Sequence, residues 1–123
     1  MKEIENREDL LHLVQLFYTK LLADTSISYL FTDVARIHLD KHLPVLVDFW
    51  DMVLFQANTY RKNAMQIHVD LHHQSPLSAD HFTTWLKHFN NSVDELFTGE
   101  NAFVIKQRAL SIATVMQLKT VHA

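Results

Sequence analysis

The residues QIHVDLHH at 66–73 gather three histidines, and His68 and His72 stand four apart, the spacing that sets two imidazoles on one face of a helix. His38 and His42 repeat that spacing. Neutral imidazole is the commonest protein ligand for metals, so either pair could chelate an ion, or a single histidine could hold a metal axially. Chance is a competitor, because the chain has 9 histidines in 123 residues, and an isolated histidine is more often a surface or hydrogen-bonded core residue. There is no cysteine, which excludes disulfides, thiolate-bound zinc, iron–sulfur clusters and thioether-linked haem. Any metal must therefore use His, Asp, Glu or Tyr. The Glu-x-x-His repeats of di-iron bundles are missing.

The elements that would position these side chains are helices. Gly99 is the one glycine, and Pro44 and Pro76 are the two prolines, too few turn-formers for an all-β fold. Leu10, Leu13, Val14, Phe17, Leu21 and Leu22 recur at three- and four-residue steps, which predicts a helix over 7–23 with Tyr18 beside its apolar stripe. An irregular piece through Phe31 precedes a second apolar segment carrying Leu43, Leu46, Val47, Phe49, Trp50, Val53 and Leu54. Pro44 belongs near the start of that helix, where a missing N–H costs least. A short helix is expected to carry Met65, His68, Leu71 and His72 and to stop before Pro76. Ser78 can cap the next helix, through Phe82, Trp85, Leu86, Phe89, Val93 and Phe97, and Thr98-Gly99 can end it. The last helix runs over 101–121 with Val104, Ile105, Ala109, Ile112, Val115 and Met116 facing inward. The expectation is an all-α single domain over 1–123.

Composition narrows the function. Hydrophobic residues make up 48% and charged residues 20%, the balance of a folded domain able to bury a core. The formal charge of −3 comes with no basic block, so nucleic acid is not expected as a partner. MKEIENREDL has no apolar run of a signal peptide and no segment has the length of a membrane span, which makes cytoplasm the expected location. No flavin or nicotinamide motif is present.

Several stretches together carry a resemblance. FY at 17–18, LF at 30–31, HLPVLVDFW at 42–50, Tyr60 eight residues before His68, and PLSADHFTTWLKHF at 76–89 resemble the group III truncated haemoglobins over nearly the whole chain. The most specific parts are HLPxxxDFW and HFxxWLxxF. The resemblance implies a shortened globin fold, two helices sandwiched over two, holding haem b without covalent attachment in an apolar cleft. Matched residue by residue, it makes His68 the axial iron ligand, since imidazole is a strong donor whose second nitrogen can fix the tautomer. It puts Tyr18, His42 and Trp85 on the side where a gas binds, and it makes Phe31, Leu46, Phe49, Trp50 and Phe82 walls of the porphyrin site, along with His42 and Trp85. Tyr and Trp suit such a place because each gives a hydrogen bond from an otherwise apolar side chain.

The function so implied is reversible binding of O2 or another diatomic gas such as NO or CO, with redox chemistry on the ligand if a separate reductase resupplies electrons. Two other classes stay open on the residues alone. One is a non-haem metal site built on the His38/His42 or His68/His72 pairs; the other is a cofactor-free helical interaction module with an aromatic groove. His72 and His73 are expected at the surface or near a haem propionate, and His12, His88 and His122 at the surface. The chain departs from the family in TYRKNAM, where Lys62 and Ala64 replace the usual Gly and Pro, and at Leu39, where a tryptophan is common.

Overall fold

In the computed structural model, which describes residues 1–56, 70–72 and 75–121, four long helices carry the chain: α1 (Arg7–Ala23), α2 (Leu39–Phe55), α3 (Ala79–Leu96) and α4 (Glu100–Val121). Among the described residues there is no strand, only an isolated bridge between Lys2 and Phe97. The helices pack as two pairs, α1 with α2 and α3 with α4, and the pairs cross with α1 on α3 and α2 on α4. This is the expected two-over-two sandwich.

Each helix begins and ends for a local reason. Asn6 caps α1, its side-chain oxygen accepting the Asp9 N–H at 3.0 Å, and Glu8 and Asp9 add negative charge to the first turn where the helix dipole favours it. At Ser78 the cap is reciprocal: the hydroxyl accepts the His81 N–H while the Ser78 N–H donates to His81 Nδ1 at 3.1 Å. Helix α3 stops at Leu96 with Phe97 already extended, and Gly99, at φ +113°, then turns the chain into α4. Gly99 thus serves the start of α4 more than the end of α3. Pro44 is the sixth residue of α2 rather than near its first position, so it forgoes a bond to the Asp40 carbonyl inside the helix.

Leu10, Leu13, Val14, Phe17 and Leu21 of α1 are all buried, as their spacing requires. They meet Phe89 and Val93 of α3 and Ile105 and Ala109 of α4 in one core. Phe89 is 0% exposed and touches the rings of Phe17, Trp50 and Trp85, so Phe89→Ala would remove the centre of this cluster at a cost of about 3–5 kcal/mol. Helix α4 departs from the sequence expectation at one position: Ala102, Ile105, Ala109, Ala113 and Met116 face inward, whereas Val115 is 45% exposed. The burial frame steps through 109, 113 and 116, and Val115 falls outside it.

Between α1 and α2 the chain forms a single π-helical turn, Leu30–Val34, with the Ala35 N–H reaching back to the Leu30 carbonyl at 2.9 Å. Polar contacts, among them those of Arg7 and Asp24, hold α1 against its neighbours. Arg7 spans to α2 with one nitrogen 2.7 Å from Asp48 and the other 2.8 Å from the buried Asp51. Asp24, just past the end of α1, pairs with His88 of α3 at 2.7 Å.

Candidate functional site: an aromatic cavity

Within this frame lies a cavity of about 370 Å³, large enough for a substantial ligand and walled by all four helices and the π-helical turn. Helix α1 contributes Phe17 and Tyr18, the turn contributes Leu30 and Phe31, and α2 contributes His42, Leu46, Phe49 and Trp50. Phe82 and Trp85 of α3 face the same space, as do Ile112 and Met116 of α4. Asp70 and Leu71, of the helical turn at 70–72, complete another side. Every described residue that the resemblance makes a site residue therefore borders one cavity, whereas His38 and His72 do not line it. His68 lies outside the described residues, and so do Tyr60, Lys62, Ala64, Met65, His73 and His122.

The polar groups of the cavity are few and individually placed. Consecutive residues of α1 point about 100° apart, so Phe17 enters the aromatic core while Tyr18 turns toward Phe31 and His42, with ring centres 5.5 and 5.4 Å away. The Tyr18 ring is 4% exposed, and burial pushes the phenol pKa well above its ordinary value. Its hydroxyl consequently keeps its proton. That oxygen lies 2.8 Å from His42 Nε2, and the tautomer decides the direction: with Nε2 bare the tyrosine donates to it, and with Nε2–H the histidine donates and the hydroxyl proton is free to go elsewhere.

Trp85 stacks on Phe89 at 5.7 Å and 10° and receives the edge of Phe17 at 5.5 Å, which fixes the plane of its indole. Its N–H has no hydrogen-bond partner among the described residues, leaving a rigidly held donor in the cavity wall. Aromatic walls that carry the Tyr18 hydroxyl and the Trp85 N–H make a site suited to a flat apolar ligand together with a small polar one.

Other histidines sort differently from their sequence reading. His12 is exposed, as expected. His88 is not a surface residue; its side chain is only 17% exposed and bonds Asp24, whose carboxyl is pulled down to about 2 by His88 first and by Ser26 second. Nothing in the local sequence announces this pair, since the partners are 64 positions apart. His72 is half-buried and accepts the Leu77 N–H at Nδ1, 2.9 Å away. His38 is exposed at the start of α2 while His42 engages Tyr18, and no cluster of three or more metal-ligating side chains occurs among the described residues.

His81 is a cavity residue the sequence reading passed over. Its Nδ1 accepts the Ser78 N–H, which leaves Nε2, 3.0 Å from the Tyr29 hydroxyl, as the protonated nitrogen of the neutral ring. His81 is the first residue of HFxxWLxxF, a stretch that carries the resemblance without assigning that histidine a role. No helix of the described residues is long and apolar enough to cross a membrane.

No family model matches the chain. It is similar to the group 3 truncated hemoglobin ctb of Campylobacter jejuni, with 28% identity over 118 residues covering 94% of this chain and 91% of that protein. The crystal structure of group III truncated hemoglobin from Campylobacter jejuni superimposes with a TM-score of 0.85, at 28% identity, covering 95% of this chain and 93% of that one. The resemblance read from the sequence and the fold of the chain thus agree: this is a truncated-globin fold, similar to group III truncated haemoglobins from end to end.

Proposed function

We propose that the protein binds haem b in the aromatic cavity, where His68 would ligate the iron, and that it binds a diatomic gas on the side of Tyr18, His42 and Trp85. The observation that carries this reading is the pairing of an aromatic cavity with a buried tyrosine hydroxyl that stays protonated and meets a histidine at 2.8 Å. The walls fit the group. Phe31, Leu46, Phe49, Trp50 and Phe82 offer apolar surface to a macrocycle, and a chain without cysteine can hold it only by contact and coordination.

When bound, haem supplies an iron that coordinates a gas and changes oxidation state. The chain's own residues do the rest. Tyr18 would donate a hydrogen bond to the more polar end of a bound ligand, and the raised pKa keeps its proton on the phenol oxygen across the working pH range. His42 sets how available the Tyr18 proton is: as Nε2–H donor it leaves the hydroxyl free and polarises it, and as acceptor it holds it back. Trp85, a donor only, gives a second bond from a ring locked between Phe17 and Phe89. The aromatic walls exclude water that would compete for these donors.

Binding and reversible release is the function this arrangement serves, with O2 as the ligand that gains most from two donors and NO or CO as others. Turnover of a bound gas would require electrons from a separate reductase. A haemin titration of the apoprotein tests the reading directly. Both tryptophans of the chain, Trp50 and Trp85, border the cavity, so one equivalent of haemin should quench nearly all tryptophan emission as a Soret band appears. Emission that falls without a sharp equivalence point would count against a specific haem site.

A further inference from the structure

Helix α3 presents His81, Phe82 and Trp85 to the cavity, and His81 stands one turn before Trp85, about 6 Å along the axis, on the same side of the helix. Its two ring nitrogens engage different elements. Nδ1 accepts the Ser78 N–H at 3.1 Å, inside the reciprocal cap of α3. A neutral imidazole has one bare nitrogen and one N–H, so this bond sets the proton on Nε2. The Tyr29 hydroxyl oxygen lies 3.0 Å from Nε2, with the two rings edge to face at 5.9 Å and 61°. The direction of the bond follows: His81 donates and Tyr29 accepts.

Tyr29 is the residue from which the π-helical turn starts. It flanks Leu30 with helical dihedrals and caps nothing with its side chain, and its hydroxyl reaches across to α3 instead. Single π turns are rare and concentrate at functional sites. Here the turn carries Phe31, whose ring meets Tyr18 edge to face at 5.5 Å and 79°. Tyr18 also touches the ring of Phe17 at 5.6 Å, but Phe17 is the preceding residue of the same helix and moves with it. Phe31 and His42 are the rings that hold Tyr18 from outside α1. Contacts thus run from the start of α3 through Tyr29 and the turn to Phe31, Tyr18 and His42.

We propose that His81 is a positioning residue: by donating Nε2–H to Tyr29 it ties the π-helical turn to α3 and holds Phe31 where it keeps the Tyr18 hydroxyl against His42. The effect on a bound gas rests on the haem reading; the tie itself does not. A group that acts through an intermediate contact sets orientation and supplies no donor of its own to the ligand. Cutting the tie leaves Tyr18, His42 and Trp85 chemically intact, so the loss is poorer alignment of the Tyr18 hydroxyl rather than a missing hydroxyl. O2, the more polar ligand, responds to that alignment, and CO far less.

Tyr29→Phe keeps the ring and removes the acceptor, and His81→Phe keeps an aromatic ring and removes the donor. In haem-loaded protein each should raise the ratio of the O2 to the CO release rate about twofold or more, by less than Tyr18→Phe does. The double variant should go no further than the larger single change, because both cut one contact. Gly99→Ala, past the far end of α3, is the control: it should lower the melting temperature and leave the ratio unchanged, which separates positioning from stability. In haem-free protein at about pH 8, proton–nitrogen correlation spectra of the imidazoles should show His81 with its proton on Nε2, and Tyr29→Phe should shift the ring signals of His42. A ratio that stays at the parent value or falls in either variant overturns the proposal, as does a ratio that Gly99→Ala moves equally, or any other protonation pattern at His81. Should the chain take up no haem, it is the haem reading that fails and the spectra alone decide: His42 signals unmoved by Tyr29→Phe overturn the tie.

Discussion

Replacing Tyr18 with Phe keeps the ring that packs on Phe17 and Phe31 and removes one hydroxyl. What is lost depends on the 2.8 Å contact with His42. If His42 donates through Nε2–H, the tyrosine proton is already free, and the variant loses the full bond to the gas, about 1.5–3 kcal/mol for a charge-bearing acceptor, so O2 should leave roughly ten- to a hundredfold faster. If His42 accepts, the tyrosine must give up a bond of about 0.5–1.5 kcal/mol to serve the gas, and the net loss is only about 1 kcal/mol, roughly fivefold. His42→Leu separates these cases: it slows O2 release when His42 was holding the proton back and speeds it when His42 was polarising the hydroxyl. CO, the less polar ligand, should respond far less to either change. Stopped-flow release rates for O2 and CO from the parent and both variants decide the matter. Equal small changes for the two gases in Tyr18→Phe would refute the reasoning and return Tyr18 to a packing role.

Further outcomes follow from the same contacts. Trp85→Phe should raise the O2 release rate in the same direction as Tyr18→Phe, and the two should combine non-additively because both donors share one ligand, which a double-mutant cycle on release rates measures. Ferric protein should be high-spin, because His42 is tied to Tyr18; a low-spin spectrum that becomes high-spin in His42→Leu would show that His42 reaches the metal. The Asp24 carboxyl is held at about 2 against an ordinary 3.8, so its contribution to stability is present above pH 4 and disappears as pH falls from about 4 to 2. Asp24→Asn should accordingly lower the melting temperature at pH 6 and match the parent near pH 2, as followed by circular dichroism. Gly99→Ala should destabilise by more than about 1 kcal/mol in urea, because the position has φ +113° and a Cβ there would collide with the Glu3 carboxylate.

The long helices were legible because their apolar residues repeat with the helical period and Ser78 occurs where a cap is needed. Residues within one helix need only local spacing to be placed. The π-helical turn at Leu30–Val34 has no such signature, since it differs from an α-helical turn by one hydrogen-bond step and is set by how α1 and α2 pack. Val115 was misplaced for a related reason: α4 is apolar on two faces, so periodicity offers two registers, and only contact with α2 and α3 selects the one through Ala113 and Met116. The cavity residues came from the resemblance rather than from spacing. Tyr18 and His42 are 24 positions apart, Tyr29 and His81 52, and neither pairing leaves a mark in the local sequence. The same holds for His88, whose partner lies at the far end of another helix.

The central claim is that His68 ligates iron in this cavity, and a comparison of His68→Ala with His72→Ala tests it most directly. The measurement is the visible spectrum of each reconstituted variant in the ferrous state before and after CO. His72→Ala should behave as the parent, with a five-coordinate ferrous spectrum that sharpens to a carbonyl Soret band, while His68→Ala should stay helical but fail to hold haem in that state. Normal haem retention and an unchanged ferrous spectrum in His68→Ala would contradict it.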